Sequence, residues 1–415
     1  MSGATASGAE SSDGAAASTD RTSSADRAAA STDRTSSADR AVPASRTAPA
    51  GGAAPAGGTA PAGRARTLAQ VYRRFGASDA ADASPLHRRV ATALSRSPEA
   101  LRAIESAPAR KRHPAVILAA LHDLALAGRA PALAAAYAAE DGDAAADAAV
   151  DTLRRMADSV VAVAVRRTPR PGEAGRCAVL YPAVAEAARR AGADAIGLID
   201  VGCSTGLNLT VDRVGIAYGD GRVLGDPSSP VQLTASVVGD RPVPAAALPE
   251  VVARVGVDRD PVDVTDAGDV RWLRACLPPD DRERGARLRA ELALAAADPP
   301  LLLRGDPVEV LPEAFARVPA GALPVVTTTW ALSRFPLEDR LRFLHRLDEA
   351  AAVRAVAWVS VEGVGVAPSV PTLGDRHASG HSIIGLAVLD GPALRAEAVG
   401  RCWSRGRLLS WLADS

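Results

Sequence analysis

The chain has 415 residues, 47% of them apolar, and its 48 basic and 48 acidic side chains cancel to zero net charge. That length holds two domains with a low-complexity segment besides, and the charge balance argues against the basic surface that nucleic acid requires. Cys177, Cys203, Cys276 and Cys402 are far apart with no Cys-x-x-Cys pair, so no zinc or redox pair is expected and a reduced, cytoplasmic setting is.

Residues 1–66 are Ala, Ser, Gly, Thr, Asp, Arg and Pro almost without large apolar groups, and Ser18–Arg27 recurs unchanged at Ser31–Arg40. Such a segment cannot bury enough surface to offset its ordering entropy, which predicts a disordered tail. Residues 67–170 read as an all-helical region. Ser84-Pro85 and Ser97-Pro98-Glu99 each pair a capping side chain with a proline at the first helical position. His113-Pro114 opens an apolar helix through Ile117, Leu121 and Leu124 that stops near Gly128, and 132–165 continues Ala-rich and helical.

Residues 171–415 alternate strands with helices. Tyr181–Arg190 is predicted helical and Ala195–Val201 a buried strand, followed by a turn and a short helix. Gly219–Pro230 reads as irregular, Val231–Val238 and Val251–Asp258 as strands, and Val270–Leu277 and Arg282–Ala296 as helices. Leu301–Leu303 is a strand, Pro312–Arg317 a helix, Pro324–Trp330 a strand and Leu337–Ala352 a helix with Leu341, Leu344 and Leu347 on its buried face. Ala355–Val361 is a strand, and Ser382–Leu389 with Ala396–Trp403 forms a closing antiparallel pair. The alternation predicts an α/β fold whose mostly parallel sheet is covered by helices on both faces. No run of about 18 apolar residues occurs, so no membrane span is expected. The start of the chain lacks a charged residue run followed by an apolar core, so no secretory signal is expected either.

The chemistry concentrates in Asp200-Val201-Gly202-Cys203-Ser204-Thr205-Gly206-Leu207-Asn208. Gly202 and Gly206 allow a sharp turn and close approach of a ligand to the backbone, and a following helix would aim free N–H groups at it. The same letters spell Gly202-x-Ser204-x-Gly206, a serine-hydrolase elbow. That reading needs an acid and a base downstream, such as Asp306 with His377 or His381. Yet an elbow follows several strands, whereas Ala195–Val201 is the first, and no His-Gly-Gly-Gly run precedes it to supply an oxyanion hole. The dinucleotide pattern Gly-x-Gly-x-x-Gly is absent, which disfavours NAD. His377 and His381 are four apart, but a glycine intervenes and no third ligand follows nearby, so no metal is expected.

Asp-x-Gly-x-x-x-Gly-x-Asn resembles the first motif of the class I S-adenosylmethionine-dependent methyltransferases. The resemblance implies a Rossmann-like, methyltransferase-type sheet that binds S-adenosylmethionine. Carried over residue by residue, it implies that Asp200, Gly202, Ser204, Gly206 and Asn208 form the cofactor turn. It further implies that Asp258 in Gly256-Val257-Asp258 holds the ribose hydroxyls and that Asp306 in Arg304-Gly305-Asp306 meets the adenine. The sequence departs from that pattern in the Thr210–Pro249 insertion, and Thr327–Leu332 replaces the Asn/Asp-Pro-Pro-Tyr signature of amino-group methylation. From about Val71 to Trp411 the chain also resembles a largely actinobacterial family known only as a domain of unknown function. That resemblance rests on Arg167–Leu180, Asp200–Asn208, Val257–Val264, Arg304–Asp306, Val325–Leu332 and Trp358–Gly365. Glu173 and Arg176 match that family's Asn-Glu-x-x-Arg, with Gly172 in place of Asn, and are expected to form a lid or substrate wall together with Trp330.

The expected function is methyl transfer to a small-molecule acceptor that the sequence does not identify, with neither nucleic acid nor membrane as partner. A binding protein of the same fold without turnover is the second reading, and a serine esterase using Ser204 the third.

Overall fold

Proline and capping side chains set the helix starts in the first half of the molecule. The computed structural model describes residues 67–77, 84–169, 174–377, 380–391 and 394–413. The expected tail over 1–66, and Gly172 and Glu173, lie outside them. The helices are α1 Leu68–Gly76, α2 Pro85–Arg96, α3 Pro98–Glu105, α4 Pro114–Leu126, α5 Pro131–Ala138 and α6 Gly142–Arg166. Ser84 and Ser97 accept N–H bonds from His87 and Ala100 at 3.0 and 3.2 Å, as their positions before proline predict. The Ala-rich stretch expected as one helix is two: Glu140 turns left-handed at φ 54°, and Asp141 accepts from Asp143 and Ala144 to start α6 anew. Leu94, Ile104, Leu118, Leu121 and Leu153 form the core here, which also takes in Trp272 and Ala275 from further along the chain.

The second half runs α7 Cys177–Ala191, β1 Ala195–Val201, a 3-10 helix Leu207–Arg213, β2 Gly215–Tyr218, β3 Val223–Gly225, β4 Gln232–Val237 and β5 Glu250–Asp258. It continues α8 Ala267–Ala275, α9 Arg282–Ala297, β6 Leu301–Arg304, α10 Pro307–Ala316, β7 Leu323–Thr329 and α11 Leu337–Ala351. It closes with β8 Val356–Gly363, β9 Ser382–Leu389, β10 Glu397–Trp403 and β11 Leu408–Trp411. Among the described residues one mixed sheet of eleven strands results, in the order β3-β2-β4-β11-β10-β9-β8-β7-β1-β5-β6. The five strands β6-β5-β1-β7-β8 are all parallel. β8, β9, β10 and β11 then run as an antiparallel meander, with the expected closing pair at its centre. The α7 side of the sheet packs Val184, Leu198, Val359 and Leu386 together, while α10 and α11 cover Ile199, Val326 and Trp358 on the other side.

Several sequence expectations shift. β2 and the edge strand β3 are short strands within what read as helix and irregular chain. α10 begins five residues before Pro312, because Asp306 caps it through the Val308 N–H at 3.0 Å and Pro307 takes the first helical position. The buried face of α11 is Phe343, Leu347 and Ala351, with Leu341 exposed. Among the described residues, no single helix is long and apolar enough to cross a membrane.

Candidate functional site

Strand order reverses at β1: β5 and β6 lie on one side of it, β7 and β8 on the other. In open α/β sheets, ligands bind beyond the carboxyl ends of the strands at such a switch point. The Asp200–Asn208 segment leaves β1 there. Gly202 has φ 74°, Ser204 φ 55° and Gly206 φ 70°. The Gly202 and Cys203 N–H groups donate to Val257 O at 2.8 and 3.2 Å, which ties the turn to β5. A Cβ on Gly202 would stand 2.8 Å from that of Ala331, just past β7. Gly206 also serves packing: a Cβ there would stand 2.9 Å from Pro300. The segment after the turn is a seven-residue 3-10 helix bent at Thr210, not an α-helix whose N-terminus could cradle an anion.

Carboxylates surround this turn. Asp200, 1% exposed, accepts from the Thr327 hydroxyl at 2.8 Å and the Asn208 amide at 3.0 Å. Burial pushes its carboxyl up to about 6 against the pull of Thr327, the Arg176 charge and Asn208. Asp258 accepts the Ser204 N–H at 3.0 Å and the Asp260 N–H at 2.9 Å, so it builds the turn it was expected to complement. Asp306 is drawn into structure instead: it caps α10 and pairs with Arg259. Burial works to raise its carboxyl, but Arg259 and the Val308 N–H hold it below the ordinary range.

Glu362, at the end of β8, was missed as a site residue. It is 1% exposed. Its Oε1 accepts from the Ala331 and Leu332 N–H groups at 2.9 and 3.0 Å, while Oε2 is buried with no partner among the described residues. Burial pushes its carboxyl up to about 7. The sequence signal was an acid closing an apolar strand beside the turn.

Arg176 and Trp330 do come together, the guanidinium lying 5.0 Å over the indole. Arg176 also donates to Thr329 O at 3.4 Å, and Trp330 donates to Ser382 Oγ at 2.7 Å. Trp330 holds φ 50°, a strained conformation for an aromatic residue. Glu173, expected as the other half of the lid, lies outside the described residues.

Ser204 Oγ is buried and has no hydrogen-bond partner among the described residues. His381 binds Asp375 at 2.9 Å, and the His377 ring crowds the Cα of Gly365. Arg401 and then His381 hold the Asp375 carboxyl low. Asp306 bonds α10 and Arg259, and among the described residues no hydrogen bond joins Ser204 Oγ, Asp306 and either histidine.

The family model described as "Uncharacterized protein conserved in bacteria (DUF2332)" matches residues 69–411. No curated protein and no solved structure matches the chain.

Proposed function

We propose that this chain, which belongs to that bacterial family, binds S-adenosylmethionine at the Gly202–Gly206 turn and directs its methyl group to a small-molecule acceptor. One observation carries the reading: a turn with left-handed residues at Gly202 and Ser204 sits at the switch point of a parallel sheet, between the buried carboxylates of Asp200 and Asp258. The residues present fit such a ligand. Ser204 Oγ and Thr329 Oγ1 are buried oxygens without partners among the described residues, and each can accept from an ammonium or a ribose hydroxyl. Asp258 accepts the Ser204 and Asp260 N–H groups, one on each oxygen, which fixes its carboxylate against the turn.

When bound, the cofactor supplies an electrophilic methyl group on a sulfonium. The chain's part is positioning and exclusion of water. Arg176 stacked on Trp330 forms a wall beside the carboxyl end of β7 and the first residue of β9, and Glu362 fixes the Ala331–Leu332 backbone that abuts Gly202. A binding protein without turnover is the second reading, favoured by the engagement of Asp200, Asp258 and Asp306 in structural hydrogen bonds.

The test is thermal unfolding with S-adenosylhomocysteine. Ligand at a hundredfold over its dissociation constant adds about 2.7 kcal/mol, a rise of several degrees at roughly 2–4 °C per kcal/mol. An unchanged melting temperature at millimolar ligand removes the reading. Ser204→Ala separates it from the esterase. At a cofactor turn the change removes at most one hydrogen bond, about 0.5–1.5 kcal/mol of binding. Ester turnover that is present in the wild type and vanishes in Ser204→Ala would instead assign the hydrolase.

A further inference from the structure

A second feature adjoins the turn. Val262 donates its N–H to Ser204 O at 2.8 Å, and Val262 is also part of the wall of a separate cavity of about 390 Å³. This cavity lies between the end of α6, the start of α8 and the carboxyl ends of β5 and β6. Among the described residues its lining includes four arginines, Arg166, Arg167, Arg271 and Arg304, against three aspartates. Lys111 reaches the same place, donating to Arg167 O at 2.7 Å.

The arginines of this cavity keep donors that a closed fork would spend. Arg254 closes a two-nitrogen fork on Asp212, both bonds 2.7 Å, and Arg401 does the same on Asp375 at 2.6 and 3.1 Å. In the cavity each guanidinium spends one nitrogen. Arg167 uses Nη1 on Asp269, Arg271 uses Nε on Asp123 and Arg304 uses Nη1 on Asp260. Arg166 spends Nε on the Ala162 carbonyl of its own helix and meets no carboxylate among the described residues. The unspent Nη2 atoms of Arg167 and Arg271 converge on Gly268, in the first turn of α8: they lie 3.4 and 3.9 Å from where a Cβ would stand, beside the Asp266 Oδ1 that caps the helix, 3.1 Å from the same point. A planar fork with free donors matches the oxygens of a phosphate or carboxylate.

We infer that this cavity is an oxyanion site, taking the phosphate or carboxylate of a small molecule between Arg166, Arg167 and Arg271 over Gly268. The inference does not rest on the cofactor reading, since the arginines would hold such a group whether or not the turn holds a ligand. Its position one hydrogen bond from Ser204 makes it a place for the charged end of a molecule whose remainder lies at the turn.

Calorimetric titration of the full chain with inorganic phosphate and, separately, with succinate tests it. Saturable binding of either at millimolar concentration is expected, and the tighter of the two identifies the group. Arg166→Gln should weaken that binding at least roughly tenfold, the worth of one charge-assisted contact. Gly268→Glu places a tethered carboxylate beside the two guanidiniums at a helix start and should abolish binding in protein that still unfolds in one cooperative thermal transition. Absence of binding by both probes in the wild type overturns the inference, as does binding unchanged in both variants.

Discussion

Glu362→Gln should open a stability gap over the wild type that grows with pH. The Glu362 carboxyl is raised by burial from an ordinary 4.5 to about 7, against the pull of the Leu332, Ala331 and Ser333 N–H groups and of Arg334. A carboxyl raised in the folded state binds its proton there more tightly than in the unfolded chain. Its contribution is therefore fully present below 4.5 and is lost as pH rises through about 7. At about 1.4 kcal/mol per pH unit, the loss is on the order of 3 kcal/mol. Gln keeps an oxygen for the two N–H groups and never ionises. Denaturant unfolding of both proteins between acidic and mildly alkaline pH should give similar relative stabilities at the acid end. Gln should gain that amount by the alkaline end. A gap that stays flat with pH would show that the wild-type carboxyl has a solvated home. Asp200 should add a smaller effect of the same sign, since it too is raised, to about 6.

Gly202→Ala should both destabilise the protein and end cofactor binding. At φ 74° an alanine pays about 1–2 kcal/mol for the left-handed backbone. Its Cβ would also stand 2.8 Å from Ala331 Cβ and 3.1 Å from Arg334 Nη2. Overpacking of that kind adds about 1–3 kcal/mol. The relief route is a displacement of the turn from Ala331, which moves the backbone that would face the cofactor. Gly221→Ala is the matched control: φ is 87° in the β2–β3 hairpin, but nothing lies within 4 Å. It should cost the backbone strain alone and leave binding intact. Equal effects of the two variants on binding would mean that destabilisation, not the turn, governs it.

Much of this architecture was legible in the sequence because local and global signals agree. β1, β7 and β8 and the second half of β5 are apolar runs buried on both faces, and proline with a capping residue marks α2, α3 and α4. The losses have physical causes. β2 and β3 are four and three residues long, too short for any period to register. In α11, Leu341, Leu344 and Leu347 suggest a leucine stripe, but the helix turns Phe343 inward and leaves Leu341 at 52% exposure. At the site, the turn and its flanking Asp200 and Asp258 were readable because glycine spacing and strand ends are local. The packing contacts of Asp306 and Gly206 were not, since both depend on partners remote in sequence, Arg259 and Pro300. Glu362 escaped for the same reason: its role is set by backbone N–H groups thirty residues upstream.

The most direct test of the proposed cofactor site is calorimetric titration of S-adenosylhomocysteine into the folded full chain and into Gly202→Ala. The account predicts saturable one-to-one binding to the wild type and none to Gly202→Ala at a temperature where both are folded. Absence of heat with the wild type at millimolar ligand, confirmed at a second temperature, would contradict it. So would binding of equal strength to both proteins.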